Sequence, residues 1–408
     1  MNAEATTPLV RIDPNRSLAL LSVAHAVNHA FAVLLPPIFI AIIDEFGVGV
    51  EAVAFLAAAG AFLSGLVQLS YAEVTRRVSR RRLLGFGGLL FGGGFAAQAL
   101  ASGFGMFAVA NIAARIGGSP QHPVGNGLLA EQFPAERRGF AISAHIAGGN
   151  VGTVVIAVIG APLLAWIGWR GTSVVFGVAA IVVALLILGL VREHGTDRAA
   201  AMAGGSSRDA LRRVIGDRDL RWLFLTSVLG GGGRGLGVVN LFALIYLTRV
   251  IGLDESTSYL MYGALIVFSV PMPLLAGWLS DRFGRKPLII GAYLGGAVGF
   301  AVFLLAGDSL VGLWAGIAIM GLFSFAESPQ LQALLADIAP PSSRDASYAL
   351  YFTMAFGVGS MWTALYGVVI DALGEPTGVP VVFGLMALAF IAAALATLPI
   401  RAERRAGA

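Results

Sequence analysis

The sequence predicts an all-α integral membrane protein with twelve transmembrane helices in two pseudo-symmetric bundles of six. Of its 408 residues, 57% are hydrophobic and only 12% are charged, whereas about a quarter of the residues in an ordinary soluble domain are charged. The mean hydropathy is +0.82. Cysteine is absent, which excludes disulfides, thiolate nucleophiles and cysteine-based metal sites.

Twelve apolar runs each have about the 20 residues that cross the hydrocarbon core of a bilayer. They are residues 17–43, 52–74, 83–103, 105–132, 139–165, 172–192, 219–249, 256–280, 288–306, 309–337, 346–373 and 379–399. The first run is longer than the apolar region of a signal peptide and has no small-residue cleavage site, so we expect it to remain as a helix. The predicted domains are an N-terminal tail (1–16), a first bundle (17–192), a linker (193–218), a second bundle (219–399) and a C-terminal tail (400–408).

The basic residues predict the orientation of the chain in the membrane. Most of the 27 Lys and Arg residues lie in the tails, the linker and alternate loops, while the loops on the other side hold only Arg170 and Arg249. Because basic residues concentrate in short cytoplasmic loops, we expect both termini in the cytoplasm. We expect a monomer in a bacterial-type inner membrane, and no nucleic-acid partner despite the sequence pI near 9.7.

An internal repeat supports the division into two bundles. Ser119-Pro120-Gln121 recurs as Ser328-Pro329-Gln330, and Leu128-Leu129-Ala130-Glu131 recurs as Leu334-Leu335-Ala336-Asp337. The first half carries extra residues between its two motifs, and His122 and Pro123 lie in that extra piece. We therefore expect the two halves to share a proline bend but to differ in titratable chemistry.

A loop motif after the eighth run carries a family resemblance. The segment Gly277-Trp-Leu-Ser-Asp281-Arg282-Phe-Gly284-Arg285-Lys286 resembles the loop signature of the major facilitator superfamily of secondary transporters. The resemblance implies a gating loop in which Asp281 faces the positive end of a neighbouring helix and holds the cytoplasmic gate closed. In the first half Arg76 stands at the position of Asp281, so the same contact is not expected there.

Three further pieces resemble the fosmidomycin-resistance-type branch of drug exporters. They are the trio His25, Asn28 and His29, the segment Gly118-Ser119-x-x-His122-Pro123, and the segment Gly148-Gly149-Asn150-x-Gly152. The segment Gly160-Ala161-Pro162 is a loose version of a Gly-Pro signature associated with antiporters. These resemblances imply export of the substrate in exchange for a proton.

Three charged residues lie well inside the apolar runs, away from the run ends, where an ionisable side chain costs a few kcal/mol and is a functional candidate by default. Arg115 lies near the midplane and is expected either to contact an anion or couple to protons, or to form a structural ion pair. Arg234, between glycines from Gly230 to Gly237, is expected to bind a carboxylate or phosphonate at a bend, although close packing explains the glycines equally well. Glu327 is expected either to carry a proton or to form a permanent salt bridge.

Four histidines also lie within apolar runs of the first half: His25, His29, His122 and His145. His25 and His29 share one helix face. The histidines can relay protons, bind an anion when charged, or form separate hydrogen bonds between helices. A metal site is not expected, because no acidic residue accompanies them at that depth. Asn126 and Asn150 complete the polar candidates for substrate binding or coupling.

The predicted function is secondary active transport of a small organic compound, anionic or polar, by proton-coupled efflux. Proton-coupled uptake of an organic acid is the alternative, and a non-transporting receptor is a remote one. The glycine run from Gly230 lacks the Gly-Lys-Ser/Thr ending of a nucleotide-binding loop, and no spacing indicates a catalytic constellation, so neither an enzyme nor a cofactor is expected. The expected partners are the substrate, protons and the lipid bilayer.

Overall fold

A computed structural model describes residues 12–133, 135–193, 207–339 and 344–401. Within these ranges the regular structure is helical. The α-helices are α1 (Pro14–Phe46), α2 (Val50–Gln68), α3 (Tyr71–Arg77), α4 (Arg80–Ala97), α5 (Phe104–Gly118), α6 (Pro123–Gln132), α7 (Ala135–Leu190), α8 (Ser207–Gly216), α9 (Arg218–Gly230), α10 (Asn240–Ile245), α11 (Glu255–Phe268), α12 (Pro271–Phe283), α13 (Arg285–Leu305), α14 (Leu310–Phe323), α15 (Glu327–Ile338), α16 (Arg344–Phe352), α17 (Met361–Leu373) and α18 (Glu375–Thr397).

Eight helical segments of the described chain are long and apolar enough to cross a membrane, or nine if the bent pair at 218–233 and 235–250 forms one span. The other three predicted runs are helical as well. Run 105–132 is α5 and α6 with a turn between them, run 256–280 is α11 and α12, and run 139–165 is the first part of α7. At Gly168, φ is 66° and α7 changes direction, which separates the fifth predicted span from the sixth.

Short polar signals fix where the helices begin and end. The side chain of Asp13 accepts a hydrogen bond from the backbone N–H of Arg16, 3.1 Å away, at the start of α1. Gly47 ends the same helix in the left-handed conformation, with φ of 62°, which glycine adopts without a steric cost. Asp217 caps α9 by accepting from the N–H groups of Asp219 and Leu220.

The helical assembly has two opposite ends, the linker face and the far face. The linker face is where α1 begins, where Glu193 accepts from the N–H of Arg81 and where Asp219 accepts from the N–H of Arg401. The far face is where α1 ends, and it holds the ion pairs Asp44–Arg249 and Glu45–Arg170. Arg170 and Arg249 thus lie on the face opposite the linker, as the charge pattern predicts. Which face is cytoplasmic stays a prediction.

Hydrogen bonds join the first six predicted spans to the last six. Tyr262 donates to the carbonyl oxygen of Val33 at 2.5 Å, and Asn240 donates to that of Ala32 at 3.3 Å. Closer to the linker face, Thr353 donates to the carbonyl oxygen of Gly65 at 3.2 Å. These bonds join α1 and α2 to the second half of the chain. The exact bundle boundaries, 17–192 and 219–399, stay a prediction.

Candidate functional site

Arg234 and Glu327 form a buried ion pair in the second half of the chain. The Nε of Arg234 lies 2.7 Å from Oε1 of Glu327, and the relative exposure of the two residues is 6% and 0%. The remaining guanidinium nitrogens donate to the carbonyl oxygens of Ser227, at 3.0 Å, and Ala355. Tyr293 donates to Oε2 of Glu327 at 3.3 Å. The charge of Arg234 is therefore neutralised, and each of its three guanidinium nitrogens has a hydrogen-bond acceptor.

A break in the seventh predicted span places Arg234. Helix α9 continues as a 3₁₀ turn over Gly231–Gly233, and Arg234 itself is extended, with φ of −62° and ψ of 129°. The chain then bends by 42°, and Gly237 adopts φ of 105°, which strongly favours glycine. The N–H of Gly235, freed by the break, donates to the carbonyl oxygen of Ser324 at 2.8 Å. The predicted bend at the glycine run is present.

Close packing explains other glycines of the run from Gly230 to Gly237, so the run serves both for the bend and for close packing of helices. A Cβ added at Gly230 would lie 2.3 Å from the hydroxyl of Tyr293, and one at Gly233 would lie 2.6 Å from the ring of Phe390. A side chain at either position would push against the aromatic residues that line the ion pair. The glycines therefore both permit the break and let α13 and α18 approach it.

Arg115 lies in the last turn of α5, next to α1 and α2, and is half-buried. Its guanidinium carbon is 5.9 Å from the centre of the Phe31 ring. Its Nε is buried and has no hydrogen-bond partner among the residues that the structure describes. No carboxylate of those residues lies within ion-pair distance of Arg115 either. Arg115 is thus a cation without a counter-ion in the described part of the chain.

Gly60 makes the space that the Arg115 side chain occupies. A Cβ at position 60 would lie 2.2 Å from Cδ of Arg115, which is far inside van der Waals contact. The position of the guanidinium therefore depends on a residue of α2 that carries no polar group.

The four predicted histidines meet in one cluster. The ring centre of His25 lies 4.5 Å from that of His29, 4.6 Å from that of His122 and 4.5 Å from that of His145. His25 and His145 are fully buried. The cluster forms because α1 and α7 pack closely: a Cβ at Gly152 would lie 2.2 Å from the carbonyl oxygen of Ala26.

Hydrogen bonds set the tautomers of two of these histidines. Nδ1 of His25 lies 2.9 Å from the carbonyl oxygen of His145, and since a carbonyl only accepts, this nitrogen carries the proton. Thr153 donates its hydroxyl proton to the carbonyl oxygen of Gly149 at 3.1 Å, so it accepts from Nδ1 of His29 at 3.1 Å. In the neutral rings of His25 and His29 the Nε2 atom therefore holds the free lone pair.

The asparagine candidates lie in different surroundings. Asn28 is beside the cluster and donates to the carbonyl oxygen of Gly118 at 3.3 Å. Asn126 is half-buried, and its Oδ1 has no hydrogen-bond partner among the described residues. Asn150 is exposed. The bond from Asn28 ties α1 to the end of α5, in the fourth predicted span.

The predicted gating loop is partly described. Gly284 adopts φ of 88° between α12 and α13, and Arg282 is exposed. Arg285 pairs with Asp337, with Nε 3.4 Å from Oδ2, and donates to the hydroxyl of Ser280. Gly277 and Asp281 lie in α12, but the side chain of Asp281 is outside the described part of the structure, so its predicted contact stays a prediction.

Comparison with known proteins decides the family. A family model described as Major Facilitator Superfamily matches residues 21–364 and 235–407, which together span nearly the whole chain. The chain belongs to the major facilitator superfamily. It is therefore a multi-pass membrane transporter of a small metabolite, and the predicted fold class of two six-helix bundles is confirmed.

Individual relatives of this transporter cover most of its length. It is 27% identical over 83% of both chains to the "Putative metabolite transport protein" of Haemophilus influenzae. It is 23% identical to the fosmidomycin resistance protein of Escherichia coli, covering 87% of this chain and 86% of that protein. The solved structure of a D-xylose–proton symporter has the same fold, with a TM-score of 0.76 and 16% identity over 96% of this chain and 99% of that one.

The two halves of the chain each contain an ion pair at corresponding positions of the internal repeat. Arg80 at the start of α4 pairs with Glu131 near the end of α6, and Arg285 at the start of α13 pairs with Asp337 near the end of α15. Glu131 and Asp337 are the residues at which the predicted repeat aligns. Each half of the transporter therefore ties the start of one helix, α4 or α13, to its proline-bent span in the same way.

Several residues around the site have no signal in the sequence alone. Ser227 and Tyr293 hold the Arg234–Glu327 pair, Gly60 makes room for Arg115, and Phe352 stacks on His122 with ring centres 6.0 Å apart. Serine, tyrosine, glycine and phenylalanine are all ordinary in membrane helices. Ser227 lies seven residues before Arg234 and is the one of these that the sequence indicates, as a polar residue about two helical turns from a buried charge; the others depend on the fold.

Proposed function

We propose that this protein exports a small anionic or polar organic compound in exchange for protons, by alternating access between the two bundles. The observation that carries the proposal is the contrast between its two membrane arginines. Arg234 is neutralised by Glu327, whereas Arg115 has no counter-ion among the described residues. One arginine is suited to respond to a proton, and the other is suited to receive an anion.

Arg115 supplies the substrate contact. A half-buried guanidinium without a counter-ion is costly in a membrane, and a carboxylate or phosphonate relieves that cost through paired N–H donors. The ring of Phe31, whose centre is 5.9 Å from the guanidinium carbon, attracts the guanidinium through a cation–π interaction and so helps to hold it in place for the bound group.

Glu327 supplies the proton site. While it is ionised, it holds Arg234 and so ties α15 to the break after α9. A proton on Glu327 removes this attraction, and the glycines on both sides of Arg234 let the backbone rearrange. Protonation therefore changes the conformation of the helix break at which the two ends of the seventh span meet.

The direction of transport is proposed from similarity. The fosmidomycin resistance protein of Escherichia coli is similar over most of both chains, and the His25, His122 and Gly148 motifs resemble that branch. Within this proposal the linker face is cytoplasmic and the membrane is a bacterial inner membrane. The histidine cluster is a second place where protons can be held.

Uptake of an organic acid together with a proton is the second candidate, and the ion pair favours it. A proton on Glu327 frees the Nε–H donor of Arg234 and leaves the guanidinium charge unpaired, so a proton and an anion can bind to this pair together. Binding of both ligands in one state is the requirement of a symporter, whereas an antiporter must bind them in different states.

The deciding experiment uses the purified full chain in proteoliposomes. Counterflow with fosmidomycin and a panel of small carboxylates first identifies a substrate. A pH gradient is then imposed in each direction, with a pH-sensitive dye inside the vesicles. Substrate movement opposite to the proton supports export by antiport, and movement with the proton supports symport. Transport that does not respond to the gradient contradicts both versions.

A further inference from the structure

Three of the clustered histidines lie at the separation of metal ligands. One ring nitrogen from each of His25, His29 and His122 is within 4.8 Å of the other two. Zinc binds histidine nitrogen at about 2.0–2.1 Å in tetrahedral geometry, so its ligand atoms lie roughly 3.4 Å apart. The rings need to close by little more than 1 Å, which side-chain rotation can supply.

Two of the three rings have a nitrogen with a free lone pair. Nδ1 of His25 donates to a backbone carbonyl and Nδ1 of His29 donates to Thr153, so Nε2 is the unprotonated atom in both neutral rings. Nε2 of His25 is buried without a hydrogen-bond partner among the described residues. Metal-binding histidines commonly donate the second ring N–H to a carbonyl or another acceptor, which fixes the ring. His25 and His29 already have this support.

The lack of acidic residues does not argue against a metal here. Three histidines with a fourth position open to water or an anion form a known type of zinc site. The stacked ring of His145 lies 4.5 Å from that of His25 and holds it in place. Since three neutral ligands leave the charge of the ion uncompensated, the fourth position favours an anion.

We propose that His25, His29 and His122 bind a divalent transition-metal ion such as Zn²⁺ inside the first bundle. The sequence alone does not predict such a site, because His122 is far from the other two along the chain. The ion would tie α1 to the turn before α6. The proposal concerns binding alone and does not depend on the substrate or on the direction of transport.

The test is titration of the full chain with Zn²⁺ in detergent, by calorimetry, using protein purified without a polyhistidine tag. Co²⁺ serves as a spectroscopic probe, since tetrahedral nitrogen ligation gives intense visible absorption. We expect one ion per chain. Replacing His25, His29 or His122 by Gln should weaken binding at least about 100-fold, while His194→Gln, the fifth histidine and the matched control, should bind as the wild type does.

A second variant tests the proposal if substitution of a buried histidine prevents folding. Thr153→Val removes the acceptor that orients His29 and keeps the side-chain volume, so Zn²⁺ affinity should fall roughly 10- to 100-fold while the elution profile stays monodisperse. The proposal is overturned if the wild type binds no Zn²⁺ below millimolar concentration. It is also overturned if binding persists unchanged in Thr153→Val and in every cluster variant that folds.

Discussion

The Nε of Arg234 lies 2.7 Å from Oε1 of Glu327, which joins the break in the seventh predicted span to the first residue of α15. Only 8% and 1% of the two side chains are exposed. Removing one partner of a buried pair costs about 3–5 kcal/mol, because the other charge stays buried alone. A proton on Glu327 likewise leaves the charge of Arg234 without a counter-ion. We therefore test the coupling of substrate transport to protons at this pair.

Glu327→Gln should abolish gradient-driven accumulation of the substrate while leaving substrate exchange in place. The amide keeps the shape and a hydrogen-bond acceptor for Arg234 but cannot release a proton. The measurement is accumulation under an imposed pH gradient, compared with counterflow at equal pH, in the same proteoliposomes.

The control for this variant is Asp371→Asn, which makes the same change of charge at an exposed residue of α17. It should accumulate substrate as the wild type does. If accumulation survives Glu327→Gln, the ion pair is structural and the proton is carried elsewhere.

Gly60→Ala should raise the KM for an anionic substrate by roughly 10-fold or more, a loss of about 1.4 kcal/mol of binding. The new Cβ would lie 2.2 Å from Cδ of Arg115, so the guanidinium must move away from its position beside Phe31. The readout is transport kinetics together with the melting temperature.

Gly93→Ala is the matched control for Gly60→Ala, since a Cβ there meets nothing within 4 Å. Both changes replace a helical glycine, which by itself favours the helix by about 0.5–1 kcal/mol. An unchanged KM in Gly60→Ala would show that Arg115 does not need this position to bind substrate.

The fold was predictable because the bilayer imposes a length on each apolar run. The twelve runs are all helical in the structure. The loops rich in arginine alternate with loops that have little, and the structure places Arg170 and Arg249 of the second kind on the far face. The breaks were predicted less well. Proline and glycine mark the bends at Pro120 and near Arg234, and the gap between runs 139–165 and 172–192 marks the change of direction at Gly168. The sequence does not show that α11 and α12 are separate pieces.

The site was predictable as a set of residues but not as a set of contacts. Arg234, Glu327 and the four histidines stand out because charge and imidazole are rare in apolar runs. Their partners depend on distant helices: the ion pair joins residues 93 positions apart, and His145 meets His25 across 120 positions. The Gly148–Gly152 motif, taken from the sequence as a family resemblance, has a packing cause, since it lets α7 approach α1.

The stability contributed by Asp254 should depend on pH. This residue caps α11 at the far face; the hydroxyl of Ser256, and then Thr257, hydrogen-bond to its carboxylate and lower its pKa from 3.8 to about 2. Because the folded pKa is depressed, the contribution is full above pH 3.8 and is lost as the pH falls toward 2.

Asp254→Ala should therefore melt at a lower temperature than the wild type at pH 7, and the gap should shrink as the pH is lowered below 3.8. Asp254→Asn keeps a capping oxygen but does not titrate, so its gap to Asp254→Ala should stay constant across the same range. A gap between wild type and Asp254→Ala that is constant with pH would contradict a role for the ionised carboxylate.

Tyr262→Phe should open the far face of the transporter. Its hydroxyl donates to the carbonyl oxygen of Val33 across the two halves at 2.5 Å. A net hydrogen bond of about 0.5–1.5 kcal/mol that exists only while this face is closed shifts the population of the open state by roughly 2- to 10-fold when it is lost. The chain has no cysteine, so cysteines introduced at the exposed far-face residues Ser102 and Asp308 are the only sites for spin labels. The long-distance population should grow in Tyr262→Phe.

Tyr366→Phe removes a comparable bond, to the carbonyl oxygen of Gly232 at 2.7 Å, within the second half alone, and should leave the distance distribution unchanged. Equal shifts in both variants would mean that loss of a buried hydroxyl loosens the protein generally, and that the Tyr262–Val33 bond is not what closes this face.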